Sequence, residues 1–167
     1  MKPGISAFIL AAVLMMPAAA FAQDPSPLIN TKRMTLETAL RVAHEALLAC
    51  RAKGVQVAVT VVDRGGHVQA QLRDVLAMDL ALEISRQKAY TAMSFNLPGS
   101  ELARRFDSPN HVGKVDGVLF AAGGLPISAQ GSILGGVGVS GAPSGKTDEA
   151  CAQAGVQAVH DELEMAD

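Results

Sequence analysis

Apolar residues at positions 36, 39, 40, 43, 47 and 50 recur at three- and four-residue steps. That stripe predicts an amphipathic helix over residues 35–53, with Thr35 as N-cap and Gly54 ending it. The pattern then changes. Residues 55–63 are rich in β-branched side chains, Arg64-Gly65-Gly66 is a turn, and residues 67–73 run back, which together predict a β-hairpin. Residues 79–95 return to helical spacing until Pro98 stops them, and residues 100–106 predict a short helix. Three strands follow at 117–121, 127–129 and 132–140, the last two joined around Gln130-Gly131. Residues 147–164 predict a final helix, with Thr147 as N-cap and Asp148 and Glu149 in its first turn. The order αββααβββα implies a layered α/β (α+β) domain, an antiparallel sheet of about five strands with helices packed on it.

The N-terminus reads as an export signal. Lys2 is the positive end, residues 5–16 are a short apolar segment broken by Pro17, and Ala20-Phe21-Ala22 is an A-x-A cleavage pattern. Cleavage after Ala22 would remove residues 1–22 and leave a chain with no membrane segment, in a periplasmic or secreted location. Residues 23–33, with Pro25 and Pro27, read as a flexible leader. Residues 34–167 are long enough for one domain with its own core. Aromatics are scarce, with no Trp and one Tyr, so that core must come from Val, Leu, Ile, Ala and Met. The formal charge of −2 carries no basic stripe, which excludes a nucleic-acid binder. Two cysteines, Cys50 and Cys151, either pair in an oxidising compartment or stay as two buried thiols. Pairing requires the first and last helices to be neighbours, with Cα atoms roughly 4.4–6.8 Å apart.

The glycine-rich stretch 123–151 holds two false leads. Gly136-Val-Gly138-Val-Ser-Gly141 spells G-x-G-x-x-G. It lies inside a strand pattern, whereas a dinucleotide fingerprint must close a strand and open a helix. Gly141-Ala-Pro-Ser-Gly145-Lys146-Thr147 approximates a phosphate loop, with three residues between its glycines where four are needed and with Pro143 removing an amide donor.

Together with Val59-Thr-Val-Val-Asp63-Arg-Gly65-Gly66-His67, Ser85-Arg-Gln-Lys88-Ala89-Tyr90-Thr91-Ala92 and Asp148-Glu149-Ala-Cys-Ala-Gln-Ala-Gly155, that stretch resembles the GlcG/HbpS-like, or haem-degrading-domain, family. The four blocks occur in order from about Met34 to Val159. The loop Arg73-Asp74-Val-Leu-Ala-Met-Asp79 departs from the resemblance, lacking a Gly-Ala pair that many members carry. The resemblance implies a profilin-like fold, non-covalent haem as cofactor and a homo-oligomer. It equally implies a non-haem accessory module that binds a small organic acid or an oxidative enzyme.

Haem needs an apolar slot, an axial ligand and cations for its propionates. His44, His67 and Tyr90 are the candidate iron ligands, and Arg73, Arg86 and Lys88 the candidate propionate partners. Gly123 and Gly124 would let a flat ligand approach the backbone, or equally form a tight bend between strands. Lys88 has a plainer reading as a surface partner of Glu83 or Asp63. His111 falls in a Pro-Asn-His loop and His160 on the polar side of the last helix. G-x-S-x-G, C-x-x-C-H and paired catalytic carboxylates are all missing, so the residues favour a binding protein over an enzyme.

Overall fold

A computed structural model describes residues 27–106 and 115–166, and the described residues from Thr31 onward form one compact unit. The expected signal segment, its cleavage site and His111 lie outside the described residues. In chain order the elements are α1 (Leu36–Arg51), β1 (Ala58–Asp63), β2 (Val68–Arg73), α2 (Leu80–Phe95), α3 (Gly99–Arg105), β3 (Gly124–Ala129), β4 (Ser132–Ser140) and α4 (Gly145–Glu164). The strands form one antiparallel sheet in the order β2-β1-β4-β3. Among the described residues no helix is long and apolar enough to cross a membrane.

Strand alternation divides the sheet into two different faces. Val59, Val61, Val137 and Val139 point to α1 and α4 and make the main core with Val42, Leu47, Ile127 and Val159. The opposite face carries Thr60, Val62, Gly136 and Gly138, and α2 covers it. Gly136 and Gly138 lack a Cβ because α2 lies almost on the strand. A Cβ on Gly138 would overlap the Ser85 carbonyl oxygen, and one on Gly136 would sit 2.5 Å from the Ala89 carbonyl oxygen. The G-x-G pattern is therefore helix–sheet packing, since two glycines spaced by two share one face of a strand. Gly138→Ala should destabilise the fold by about 1–3 kcal/mol through overpacking, read as a lower urea midpoint. An unchanged midpoint would show that α2 can ride higher on the sheet.

Two expectations about elements need correction. Among the described residues four strands form, not five, because residues 117–121 never enter the sheet. Their apolar residues satisfy α2 and α3 instead. The Leu119 N–H donates to Thr91 Oγ1 (2.8 Å), and the Phe120 ring meets Phe95 and Phe106 at centroid distances of 5.2 and 4.6 Å. The final helix also starts earlier, at Gly145, with Ser144 rather than Thr147 as N-cap; Ser144 Oγ accepts from the Thr147 N–H (3.2 Å). Thr35 caps α1 as expected.

Cys50 and Cys151 are bonded, with Cα atoms 5.5 Å apart, and both are fully buried between α1 and α4. The two helices meet through Ala39, Ala43 and Ala46 on one side and Cys151, Ala152, Gly155 and Val159 on the other. Gly155 permits the closest approach, because a Cβ there would overlap the Val42 carbonyl oxygen. The alanine stripe of α1 is thus spent inside the chain.

Candidate functional site

The β1–β2 turn is built by one carboxylate. Asp63 Oδ1 accepts from the backbone N–H groups of Gly65 (2.8 Å) and His67 (2.9 Å), and Gly66 takes φ +83°, which favours glycine. Burial pushes the Asp63 carboxyl up. The two backbone N–H bonds and the nearby His67 and Arg33 outweigh that and hold it below the usual carboxylate range. The stability Asp63 contributes is therefore complete above the ordinary range and is lost as pH falls through its depressed value.

That turn is packed against α2. A Cβ on Gly66 would come within 2.7 Å of the Tyr90 ring, so the bare glycine is the surface on which Tyr90 lies. At the other end of the hairpin, Gln71 Nε2 donates to Thr60 Oγ1 (2.8 Å) and to the Leu82 carbonyl (3.1 Å). Leu82, Arg86 and Tyr90 follow one another at four-residue steps, so they share one face of α2. With Leu82 over Gln71 and Tyr90 over Gly66, Arg86 falls between them, beside the edge strand β2. Val68 pairs with Val62, which packs with Ala89, Met93 and Tyr90, so Val68 faces the same way and is 45% exposed. The result is an open shelf: β2 is its floor, α2 its wall, and the turn that carries Gly66 and His67 closes one end.

Tyr90 and Arg86 share this shelf, while His67 belongs to the turn at its end, with its side chain directed toward Asp63. The His67 side chain is 83% exposed, with Nδ1 3.5 Å from Asp63 Oδ1, so its imidazole is accessible. Tyr90 is half-buried. Arg86 is held by Glu83 through Nε (2.9 Å) and Nη2 (2.6 Å); that bond holds Glu83 below and Arg86 above their ordinary ranges.

The other candidates lie elsewhere. His44 sits on α1, across the sheet from Tyr90, with Nδ1 3.7 Å from Glu45. His160 is exposed on α4. Arg73 turns its Nη1 to the carbonyls of Asp74 (3.2 Å), Val75 (3.4 Å) and Ala77 and so ties down the loop after β2. Lys88 does not meet Glu83 or Asp63 on the surface. It is buried, with Nζ 2.9 Å from Asp148 Oδ2 and 3.0 Å from the Val139 carbonyl. Burial pushes the Asp148 carboxyl up, while Lys88 and the Ala142 N–H pull the other way. Gly123 and Gly124 belong to the same packed junction. A Cβ on Gly123 would sit 2.7 Å from Lys88 Nζ, and one on Gly124 would overlap the Lys88 carbonyl oxygen. Of the two readings for this pair, the structure displays the tight bend, filled by α2.

Sequence reasoning did not find Asp148 as the partner of Lys88, nor Val68 as part of the shelf. Position 148 carried only a first-turn signal, and Val68 faces α2 because the β1–β2 register shifts between Val61 and Val62. That bulge leaves no mark in the residue pattern. Among the described residues, no group of three or more His, Cys, Asp or Glu could hold a metal ion.

Comparison with known proteins agrees with this architecture. Residues 34–157 match the family described as Haem degrading protein HbpS-like. A crystal structure of a Streptomyces reticuli HbpS double mutant is 40% identical, with a TM-score of 0.76 over 84% of this chain and 97% of that one. Klebsiella pneumoniae protein ORFY, at 24% identity and a TM-score of 0.74, covers 86% of this chain and 99% of its own. A PduOC:haem complex, at 23% identity and a TM-score of 0.70, covers 76% and 95%. The last two bear on the fold alone. Among curated proteins no match is found.

Proposed function

The chain belongs to the HbpS-like haem-degrading protein family, and from that premise we propose that it binds haem on the shelf between α2 and β2. One observation carries the reading: a half-buried phenol and a guanidinium lie on one face of α2 beside an exposed apolar side chain, with an accessible imidazole on the turn at the end of the shelf. This donor set fits haem. His67 or Tyr90 would ligate iron, Arg86 would meet a propionate, and Val68 would lie under the ring. With no multidentate metal cluster among the described residues, iron would arrive held by its porphyrin. Bound haem would supply iron-centred redox chemistry, while the chain binds, orients and shields it. We place the protein outside the cytoplasm on the strength of the pattern in residues 1–22, as a carrier or slow degrader of haem. Exposed Leu36, Leu40 and Leu48 on α1 support assembly into a homo-oligomer.

Haemin titration of the chain beginning at Gln23 should give a saturable Soret band at one haem per chain. His67→Ala or Tyr90→Phe should shift that band and weaken binding about tenfold or more, the loss of one strong polar contact. His44→Ala, across the sheet, should leave it unchanged. A featureless, non-saturating response would remove the reading.

A further inference from the structure

A second site lies away from the shelf, where the end of α1 meets the loop after β2. There a cleft of about 550 Å³ is bordered by Arg51, Val55, Gln56, Arg73, Asp74 and Val75. Its hydrogen-bonding capacity is one-sided. Asp74 is 4% exposed, and its carboxylate is already taken: Oδ1 accepts from Arg51 Nε (2.8 Å) and Nη2, and Oδ2 from the Val57 N–H (3.4 Å). Gln56 Oε1 accepts from the Leu76 N–H (3.0 Å), so its remaining capacity is the two Nε2 hydrogens. Arg51 has used only part of its five-donor fork. Arg73 satisfies Nη1 with loop carbonyls, and its nearest carboxylate, Asp79 at 3.8 Å, is 95% exposed and screened by water. Two guanidinium groups and an amide thus offer donors, while the one bordering carboxylate is neutralised. Val55 and Val75 add apolar wall, and Val75 is 81% exposed at the rim.

We infer that this cleft binds a small organic monocarboxylate, its carboxylate on Arg73 and Arg51 and its hydrocarbon part against Val55 and Val75. The charge balance supports one negative charge, because Asp74 already offsets Arg51 and leaves Arg73. The apolar wall supports an organic acid over an inorganic anion. The disulfide stabilises the site from behind, since Cys50 precedes Arg51 and fixes the last turn of α1. The inference is independent of haem binding, as His67, Val68, Arg86 and Tyr90 do not border the cleft.

Calorimetric titration of the full chain with butyrate, and separately with inorganic phosphate, tests it. Butyrate should bind saturably at one site, with phosphate at least about tenfold weaker. Arg73→Gln should weaken butyrate about ten- to a hundredfold, the loss of a charge-assisted contact. Because Arg73 also holds its own loop, Val75→Glu is the second variant; it sets a like charge on an exposed rim and should weaken butyrate comparably without touching the core. His67→Ala and Tyr90→Phe should leave butyrate binding intact even if haem binding is lost. No saturable butyrate heat, phosphate binding as tight as butyrate, or native affinity in both Arg73→Gln and Val75→Glu would overturn the assignment.

Discussion

Replacing both half-cystines, as Cys50→Ala/Cys151→Ala, is expected to lower unfolding stability by about 4–5 kcal/mol. The bridge spans a sequence separation of 101 residues, and closing a loop of that size removes about that much chain entropy from the unfolded state. For a domain of this size the loss corresponds to a melting temperature lower by roughly 10–20 °C. Both sulfurs are fully buried, so reductant acting on the native protein should meet them slowly, and denaturant should speed reduction greatly. Parallel unfolding curves for oxidised and doubly substituted protein, with the native far-UV spectrum retained in both, check the size of the effect. A difference under about 1 kcal/mol would mean that the α1–α4 contact holds equally well without its cross-link.

Lys88→Met is expected to cost about 3–5 kcal/mol at neutral pH, the range for breaking a buried ion pair by removing one partner. Methionine fills similar volume, so the loss is mainly the uncompensated Asp148 carboxylate, which keeps only its bond from the Ala142 N–H (3.0 Å). The sign of the pH dependence follows from burial. Burial already raises the Asp148 carboxyl, and without Lys88 it rises further. An acid whose folded value lies above its unfolded value binds more protons when folded. Its ionisation therefore removes stability as pH rises between those two values, and acidification restores it. Lys88→Met should thus lose most at alkaline pH and recover as pH falls, while Lys88→Met/Asp148→Asn should recover much of the loss at every pH. Equal destabilisation across pH, unrelieved by the second substitution, would show that packing at Lys88 outweighs its charge.

Both predictions concern long-range partnerships, and these mark the limit of what could be read from residues alone. Cys50 and Cys151 were visible as the one available pair, but whether they meet depended on α1 and α4 being neighbours. Lys88 looked like a surface cation on a mixed helix. Its burial follows from α2 lying close enough to glycines at 124, 136 and 138 for the side chain to cross to α4. The same closeness gave the glycine pattern its resemblance to a nucleotide fingerprint, a likeness of spacing with a different physical cause.

The site divides in the same way. His67, Tyr90 and Arg86 were all singled out in the sequence because each carries suitable chemistry. That Tyr90 and Arg86 share one shelf, with His67 on the turn at its end and His44 and Arg73 elsewhere, required the packing of the hairpin turn on α2 and a one-residue bulge in β2. The Arg51–Asp74 contact was not legible at all, because neither residue lies in a pattern that distinguishes it from an ordinary surface charge.

What the sequence determined by itself was local: the helices and the hairpin through their periodicity, the N-cap at Thr35, and the family through four ordered motifs. These follow from contacts a few residues apart and from composition. Tertiary structure alone decided that residues 117–121 serve an aromatic cluster instead of a fifth strand, that Lys88 pairs with Asp148, and that two of the candidate haem-binding residues, Tyr90 and Arg86, line one shelf beside β2. Each of those outcomes depends on which surface an element buries and on what packs against it from a distant part of the chain. Side-chain chemistry is fixed residue by residue, whereas burial and proximity belong to the folded whole.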